Sequence, residues 1–272
     1  MSAAIGKNIK RVLYGTIPYA FLRIFHPGSS KLPYYKFLKD HEYSRYVYDF
    51  AREYLEKDIP VYTNKEKELP YVMHSERKLY FPRTYSDSKV RNTYRALLIE
   101  QDTRHPHHYV ESLNEFENKT LLDIGAAEGF TSLEAIEKVK YVYLFECDPG
   151  WLEALTATFE PWKEKVQIIR KYIGKRTQGD TLTLDDFMKD KPRNDLFLKM
   201  DIEGAECDAL EGSKELFATA SRMDFAICTY HRKNDVKRIS AFLNRFGCAY
   251  TPRAGYMYVK HRLRTAVVRG NI

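Results

Sequence analysis

The sequence predicts an α/β chain: a mostly parallel seven-stranded sheet with helices on both faces, preceded by a helical, tyrosine-rich extension. Three observations lead there. From residue 119 short β-rich runs alternate with helical ones, the pattern of parallel strands joined by crossover helices. A glycine turn, Asp123-Ile124-Gly125-Ala126-Ala127-Glu128-Gly129, follows the first of those strands. Carboxylates then gather at the ends of the second and fourth strands, where ligands of such sheets bind.

The predicted strands cover 120–125, 141–147, 166–173, 195–202 and 224–231, with helices over 129–139, 149–159, 206–218 and 234–246. A closing hairpin is expected from Cys248–Pro252 and Tyr256–His261. The domain therefore spans 119–272, and residues 1–118 form the extension that supplies acceptor-side elements. Within it, 42–56 and 88–100 look helical, between the turn-prone Pro60, Pro70 and Pro82. Of the 21 tyrosines, 14 precede residue 119; such a cluster fills small cores or lines a ring-binding cleft, and packing is the expected role.

At 272 residues with 44% hydrophobic and 30% charged side chains, this is a globular composition and excludes collagen-like, low-complexity and disordered classes. Cys147, Cys207, Cys228 and Cys248 show no CxxC spacing, so neither a disulfide framework nor a zinc site is expected, and a reducing compartment, the cytoplasm, fits. The net charge of 44 − 37 = +7 is concentrated at the two ends. Residues 1–39 hold seven basic side chains (Lys7, Lys10, Arg11, Arg23, Lys31, Lys36, Lys39) and residues 251–272 hold five, neither with an acid. The middle is thus 7 − 12 = −5, a pattern that suits an anionic membrane surface or an acidic glycan at least as well as nucleic acid. The apolar run 12–22 follows basic residues as in a signal peptide, but Gly15 and Pro18 interrupt it, Arg23 closes it and no small-x-small site follows. It reads either as a helix docked on the domain or as an interfacial segment touching the inner face of a membrane.

The glycine turn has G-x-x-x-G spacing, without the dinucleotide fingerprint. A ligand lacking a pyrophosphate, such as S-adenosylmethionine (SAM), needs less room, and its carboxylate can meet N–H groups at a helix start. The second strand ends Phe145-Glu146-Cys147-Asp148, and Glu146 lies 146 − 123 = 23 residues after Asp123, the spacing of an acid that accepts from both ribose hydroxyls. The fourth strand ends Lys199-Met200-Asp201-Ile202-Glu203-Gly204-Ala205-Glu206, three carboxylates whose mutual repulsion calls for cations, donors or a proton.

Taken in order, DIGAAEG, FE-x-D, TLDDF (Thr183–Phe187) and KMDIEGAE resemble the FkbM family of SAM-dependent methyltransferases over about residues 100–260. The resemblance implies a Rossmann-like class I methyltransferase core and O-methylation of a glycan, polysaccharide or glycolipid. It places the methionine end of SAM near Asp123, Gly125, Ala126 and Gly129, the ribose on Glu146, adenine by Cys147, Asp148, Tyr172 and Ile173, and the reacting end near Asp201. Family members often carry an acid two residues before the histidine ending strand five; here the chain reads Thr229-Tyr230-His231. The histidine is retained and its acidic partner is not.

Methyl transfer to a hydroxyl needs in-line placement and a base, and His231 is the first candidate. Asp201 and Glu203 orient the acceptor or, with His231, hold a divalent cation. His105, His107 and His108 lie close together, but Pro106 breaks helical pairing, so a covering or acceptor loop is expected rather than zinc. Its PH-x-Y element, preceded by an acid, resembles a subset of the family and groups Glu100, His107 and Tyr109 on the acceptor side, where Glu206 is a further candidate. RNA methylation is the main rival, yet no RNA-recognition signature is present and nucleic acid is not expected. A catalytically silent SAM-binding, membrane-associated protein is the other alternative.

Overall fold

The computed structural model describes residues 2–41 and 44–272, with the backbone alone for 2–5 and 7. α1 (Ser2–Arg11), a π-helical turn at Val12–Thr16 and α2 (Ile17–Phe25) form one continuous helix. α3 (Leu32–Asp40) folds back against it so closely that a Cβ at Gly15 would stand 2.6 Å from the Leu38 backbone. The expected helix over 42–56 shrinks to α4 (Ala51–Leu55), and Glu42 lies outside the described residues. Residues 44–50 are irregular because their tyrosines are drawn toward the domain: the Tyr48 hydroxyl donates to the Tyr256 carbonyl at 2.9 Å.

An antiparallel meander absent from the sequence expectation comes next, β1 (Tyr62–Asn64), β2 (Leu69–His74) and β3 (Arg77–Tyr80). Its strands are short and Pro70 sits within one, so they read as turn-rich chain. α5 (Asp87–Glu100) follows, with Ser86 accepting from the Lys89 N–H as its cap.

The body runs β4 (Thr120–Ile124), α6 (Phe130–Ala135), β5 (Tyr141–Phe145), α7 (Pro149–Phe159), β6 (Val166–Ile169), β7 (Tyr172–Ile173), β8 (Thr181–Leu182), α8 (Leu184–Met188) and β9 (Asn194–Met200). It continues through α9 (Glu206–Glu211), α10 (Lys214–Thr219), β10 (Arg222–Cys228), α11 (Asp235–Arg245), β11 (Ala249–Pro252), β12 (Met257–Val259), β13 (Arg262–Arg264) and β14 (Val267–Asn271). The main sheet has the order β11-β14-β10-β9-β4-β5-β6, with β14 antiparallel to both its neighbours and the other pairs parallel. The order of strands switches between β4 and β9, the chain going outward to β5 and β6 on one side and then to β9 and β10 on the other, which opens a crevice at their carboxyl ends. One apolar layer packs residues of α5, α6 and α7 on one face, and another packs α8, α9, α10 and α11 on the opposite face.

Four expected elements are corrected. The third strand stops at Ile169, and Tyr172–Ile173 leave the sheet to pair with β8. The helix over 206–218 is broken at Gly212, where a Cβ would collide with the Gly174 carbonyl; Asp185 then caps α10 through the Glu215 and Leu216 N–H groups. The helix over 129–139 ends at Ala135. The closing hairpin pairs differently: β11 joins β14, whereas β12 turns back on β13 as a separate ribbon.

Candidate active site

A cavity of about 1170 Å³ occupies the crevice at the ends of β4, β5 and β9 and extends to the ribbon β12–β13 and the loop carrying Tyr46 and Tyr48. Its near end is built by the glycine turn. Gly125 has φ +80°, and a Cβ there would collide with the Asp201 carbonyl, so glycine is required for the β4 and β9 loops to cross. Gly129, at φ +73°, serves packing instead: a Cβ would meet Phe159 at 2.6 Å and Leu155 at 2.8 Å. The N–H groups of Gly125 and Ala126 donate to the Phe145 carbonyl, and that of Ala127 to Glu146, so these expected carboxylate donors already have acceptors within the protein.

Asp123 is buried, takes the Ser132 hydroxyl at 2.6 Å and pairs with Lys199 at 2.8 Å. Lys199 also donates to the Gly125 carbonyl at 2.6 Å. Burial works against its charge, but Asp123 and Asp201 outweigh burial and raise its pKa. The lysine thereby clamps the turn from beneath.

Glu146 curls onto its own turn, with Oε1 accepting from the Cys147 and Asp148 N–H groups at 2.7 and 2.8 Å and Oε2 from Ala127 at 2.9 Å. A carboxylate has about four lone-pair sites, so Oε2 keeps capacity for a hydroxyl. Cys147, Asp148, Tyr172 and Ile173 also line this end, and Tyr172 is 62% exposed. The Cys147 thiol is pushed up to about 11 by burial and then by Glu146, so it stays neutral at pH 7. With a glycine-bounded cradle, an unsaturated carboxylate at the second strand tip and a flanking aromatic, these residues fit SAM.

Asp201 is the hub of the far end. Its Oδ2 accepts from the Tyr109 hydroxyl at 2.8 Å and lies 3.4 Å from His107 Nε2, and its Oδ1 lies 3.4 Å from both His231 Nε2 and the Tyr230 hydroxyl. Burial pushes its pKa upward; hydrogen bonding and charge from His107, with the charges of Lys199 and His231, overturn that and hold it well below the carboxylate range. His107 Nδ1 meets the Gln101 side-chain amide at 3.2 Å, leaving Nε2 toward Asp201. Tyr109 is buried, which keeps its phenol protonated as a donor to Asp201.

His231 stands 2.8 Å from Glu206 Oε1 and 3.6 Å from Glu203. The Glu206 contact is an ion pair out of line for a hydrogen bond, and neither ring nitrogen has an aligned partner among the described residues. Burial opposes a charged ring here, yet the carboxylates of Glu206, Asp201 and Glu203 outweigh it and raise the His231 pKa. Glu206 itself is fully buried and fastened to the Ile202 and Gly204 N–H groups.

Glu100, His107, Tyr109, Asp201 and Glu203 thus line the same cavity, while Gly129, Glu206 and His231 are not among its lining residues. Two sets of ligand atoms, His107/Asp201/Cys228 and Asp201/Glu206/His231, come within 4.8 Å of one another, the spacing a divalent cation would need. Sequence reading overlooked Lys199, Glu128, Gln101 and Tyr230. Lys199 and Glu128 were visible inside the motifs; burial pushes the Glu128 carboxyl up to about 7, with Glu100 and Asp123 adding to it. Gln101 and Tyr230 carried no signal beyond adjacency to Glu100 and His231.

The strand order and the strand-end site define the class I methyltransferase fold. Residues 170–256 match the family model described as the methyltransferase FkbM domain, a stretch that includes the TLDDF and KMDIEGAE motifs. No curated protein matches the chain significantly. Among solved structures, the methyltransferase FkbM from Methylobacillus flagellatus is 21% identical with a TM-score of 0.46, over 68% of this chain and 55% of that one. The present chain thus spans about half the length of that relative. A precorrin-6y C5,15-methyltransferase from Geobacter metallireducens is 13% identical with a TM-score of 0.39, over 58% of this chain and 83% of its own. An rRNA methylase from Streptococcus thermophilus is 12% identical with a TM-score of 0.38, over 58% of this chain and 89% of its own.

Proposed function

We propose that the chain is a SAM-dependent O-methyltransferase acting on a hydroxyl of a glycan, polysaccharide or glycolipid. One observation supports this reading above the others: a single cavity joins the glycine turn and Glu146 to Tyr46, Tyr48, Tyr256 and Tyr258, with His107, Tyr109 and Asp201 between the two ends. Tyrosines offer apolar faces and hydroxyls together, which suits sugar rings.

When bound, SAM supplies a sulfonium methyl whose C–S bond breaks as the acceptor oxygen forms its C–O bond. Glu146 holds the ribose and Asp201 fixes the approach of the acceptor. Asp201 takes the hydroxyl proton, held ionised by the Nε2–H of His107, whose Nδ1 accepts from Gln101; His107 belongs to the cavity wall and His231 does not. His231 and Glu206 act through Asp201 as positioning residues, which revises the first choice of base. Glu203, whose side chain is largely exposed, contributes charge at the rim.

The test supplies purified protein with SAM and panels of glycan, glycolipid and RNA acceptors, and measures S-adenosylhomocysteine by mass spectrometry. Turnover on a sugar hydroxyl is expected; methylation confined to RNA would sink the proposal. Comparison of cellular glycans with and without the protein identifies the acceptor.

A further inference from the structure

Seven large apolar side chains of the first helix face solvent: Ile9, Val12, Leu13, Ile17, Phe21, Ile24 and Phe25, the last two 70% and 64% exposed. Ile9, Leu13, Ile17, Phe21 and Ile24 recur every three or four positions, with Val12 and Phe25 beside them. The i→i+5 bonding of the π-turn at Val12–Thr16 underwinds the helix there, which swings Ile17, Phe21 and Ile24 back into line with Ile9 and Leu13. The other side of the same helix is already occupied. Gly15 touches the Leu38 backbone, and Tyr14 packs with Leu38, Val47, Tyr258 and Leu263 and stacks on His261 at 3.9 Å. The stripe is therefore not an unfinished contact with the body.

Lys10, Arg11 and Arg23 are exposed on this helix, and the first acid in the chain is Asp40. Among the described residues no helix is long and apolar enough to cross a membrane. A helix with an apolar face, basic flanks and no acid has the chemistry of a segment lying in the headgroup region of an anionic bilayer. We infer that the exposed stripe Ile9–Phe25 docks the protein on an anionic lipid surface. The inference is independent of the acceptor assigned above. The ribbon that contacts this helix through Tyr258 and His261 also lines the cavity through Met257, Tyr258, Val259 and Lys260, so the docked face and the cavity mouth share one element.

The experiment uses the full chain and vesicles of phosphatidylcholine alone or mixed with phosphatidylglycerol. Wild-type protein is expected to co-sediment with the mixed vesicles, less so at high salt and much less with phosphatidylcholine alone. The triple substitution Ile17→Asp, Phe21→Asp and Ile24→Asp changes exposed positions only and should reduce partitioning about tenfold or more. Circular dichroism and S-adenosylhomocysteine binding, both unchanged, verify that the fold persists. Wild-type protein that stays in solution with mixed vesicles, or a triple variant that sediments equally, overturns the inference. So does a stripe-dependent dimer in sedimentation equilibrium without lipid binding, since a second copy would then be the occupant.

Discussion

Glu206 Oε1 lies 2.8 Å from His231 Nδ1 while it also accepts from the Ile202 and Gly204 N–H groups. One carboxylate oxygen thus ties the acidic turn after β9 to the chain leaving β10. The acid missing at Thr229 is replaced in space from a different element.

That pairing makes stability depend on pH. The folded-state pKa of His231 is raised above 6.5, so the contribution of its charged form is fully present below 6.5 and is lost as pH rises through the folded value. Urea unfolding followed across this range should show wild-type stability falling with pH, and Glu206→Gln should flatten the slope. Equal slopes would remove Glu206 as the cause.

The two histidines flanking Asp201 should separate kinetically. A general base contributes about 10²–10⁴-fold, so His107→Ala, which strips the base Asp201 of its cavity-side N–H donor, should lose about a hundredfold in kcat while still binding S-adenosylhomocysteine. His231→Ala should lose less and shift the pH–rate profile, as expected of a residue acting through Asp201. If His231→Ala shows the larger loss with an unmoved profile, the roles are reversed. Loss of activity in chelator, restored by Mg²⁺ or Mn²⁺, would instead make one of the Asp201 clusters a cation site.

Glu146→Ala should weaken S-adenosylhomocysteine binding by ~1.5–3 kcal/mol in calorimetry, the scale of hydrogen bonds to a charged group. Glu146→Gln retains an oxygen and should lose less. Unchanged affinity in both would exclude Glu146 from the ribose site.

Lys199→Met should destabilise the fold by ~3–5 kcal/mol, because it leaves the Asp123 carboxylate buried without its cation. Adding Asp123→Asn should recover part of that loss in urea titrations. Additive damage would show that the two side chains do not act as a pair.

The parallel strands and the acids at their ends were legible because a strand buried on both faces must be continuously apolar, and a carboxylate at its tip stands out. Glu146 and Asp201 followed from that contrast. The β1–β3 meander was not legible: its strands hold three to six residues and interleave tyrosine, lysine and proline without a clean alternation. The pairing of β11 with β14 was missed because the intervening ribbon satisfies the same hairpin pattern. The break at Gly212 depended on Gly174, a neighbour only in the folded chain. The His231 partner was hidden for a similar reason, since the family resemblance points to position 229 while Glu206 arrives from α9.

Asp201 draws its partners from both sides of itself in the chain. Tyr109 is 92 positions away, His107 and Cys228 are 121 positions apart, and the tyrosines at the mouth extend to Tyr258. During ribosomal synthesis the strands that cradle the cofactor emerge well before the ribbon that bounds the acceptor end. Loop closures of this span form late in folding. The cavity therefore gains its second end only when this ribbon has folded, and a growing chain that stops short of residue 258 has the glycine turn without the tyrosine-lined mouth.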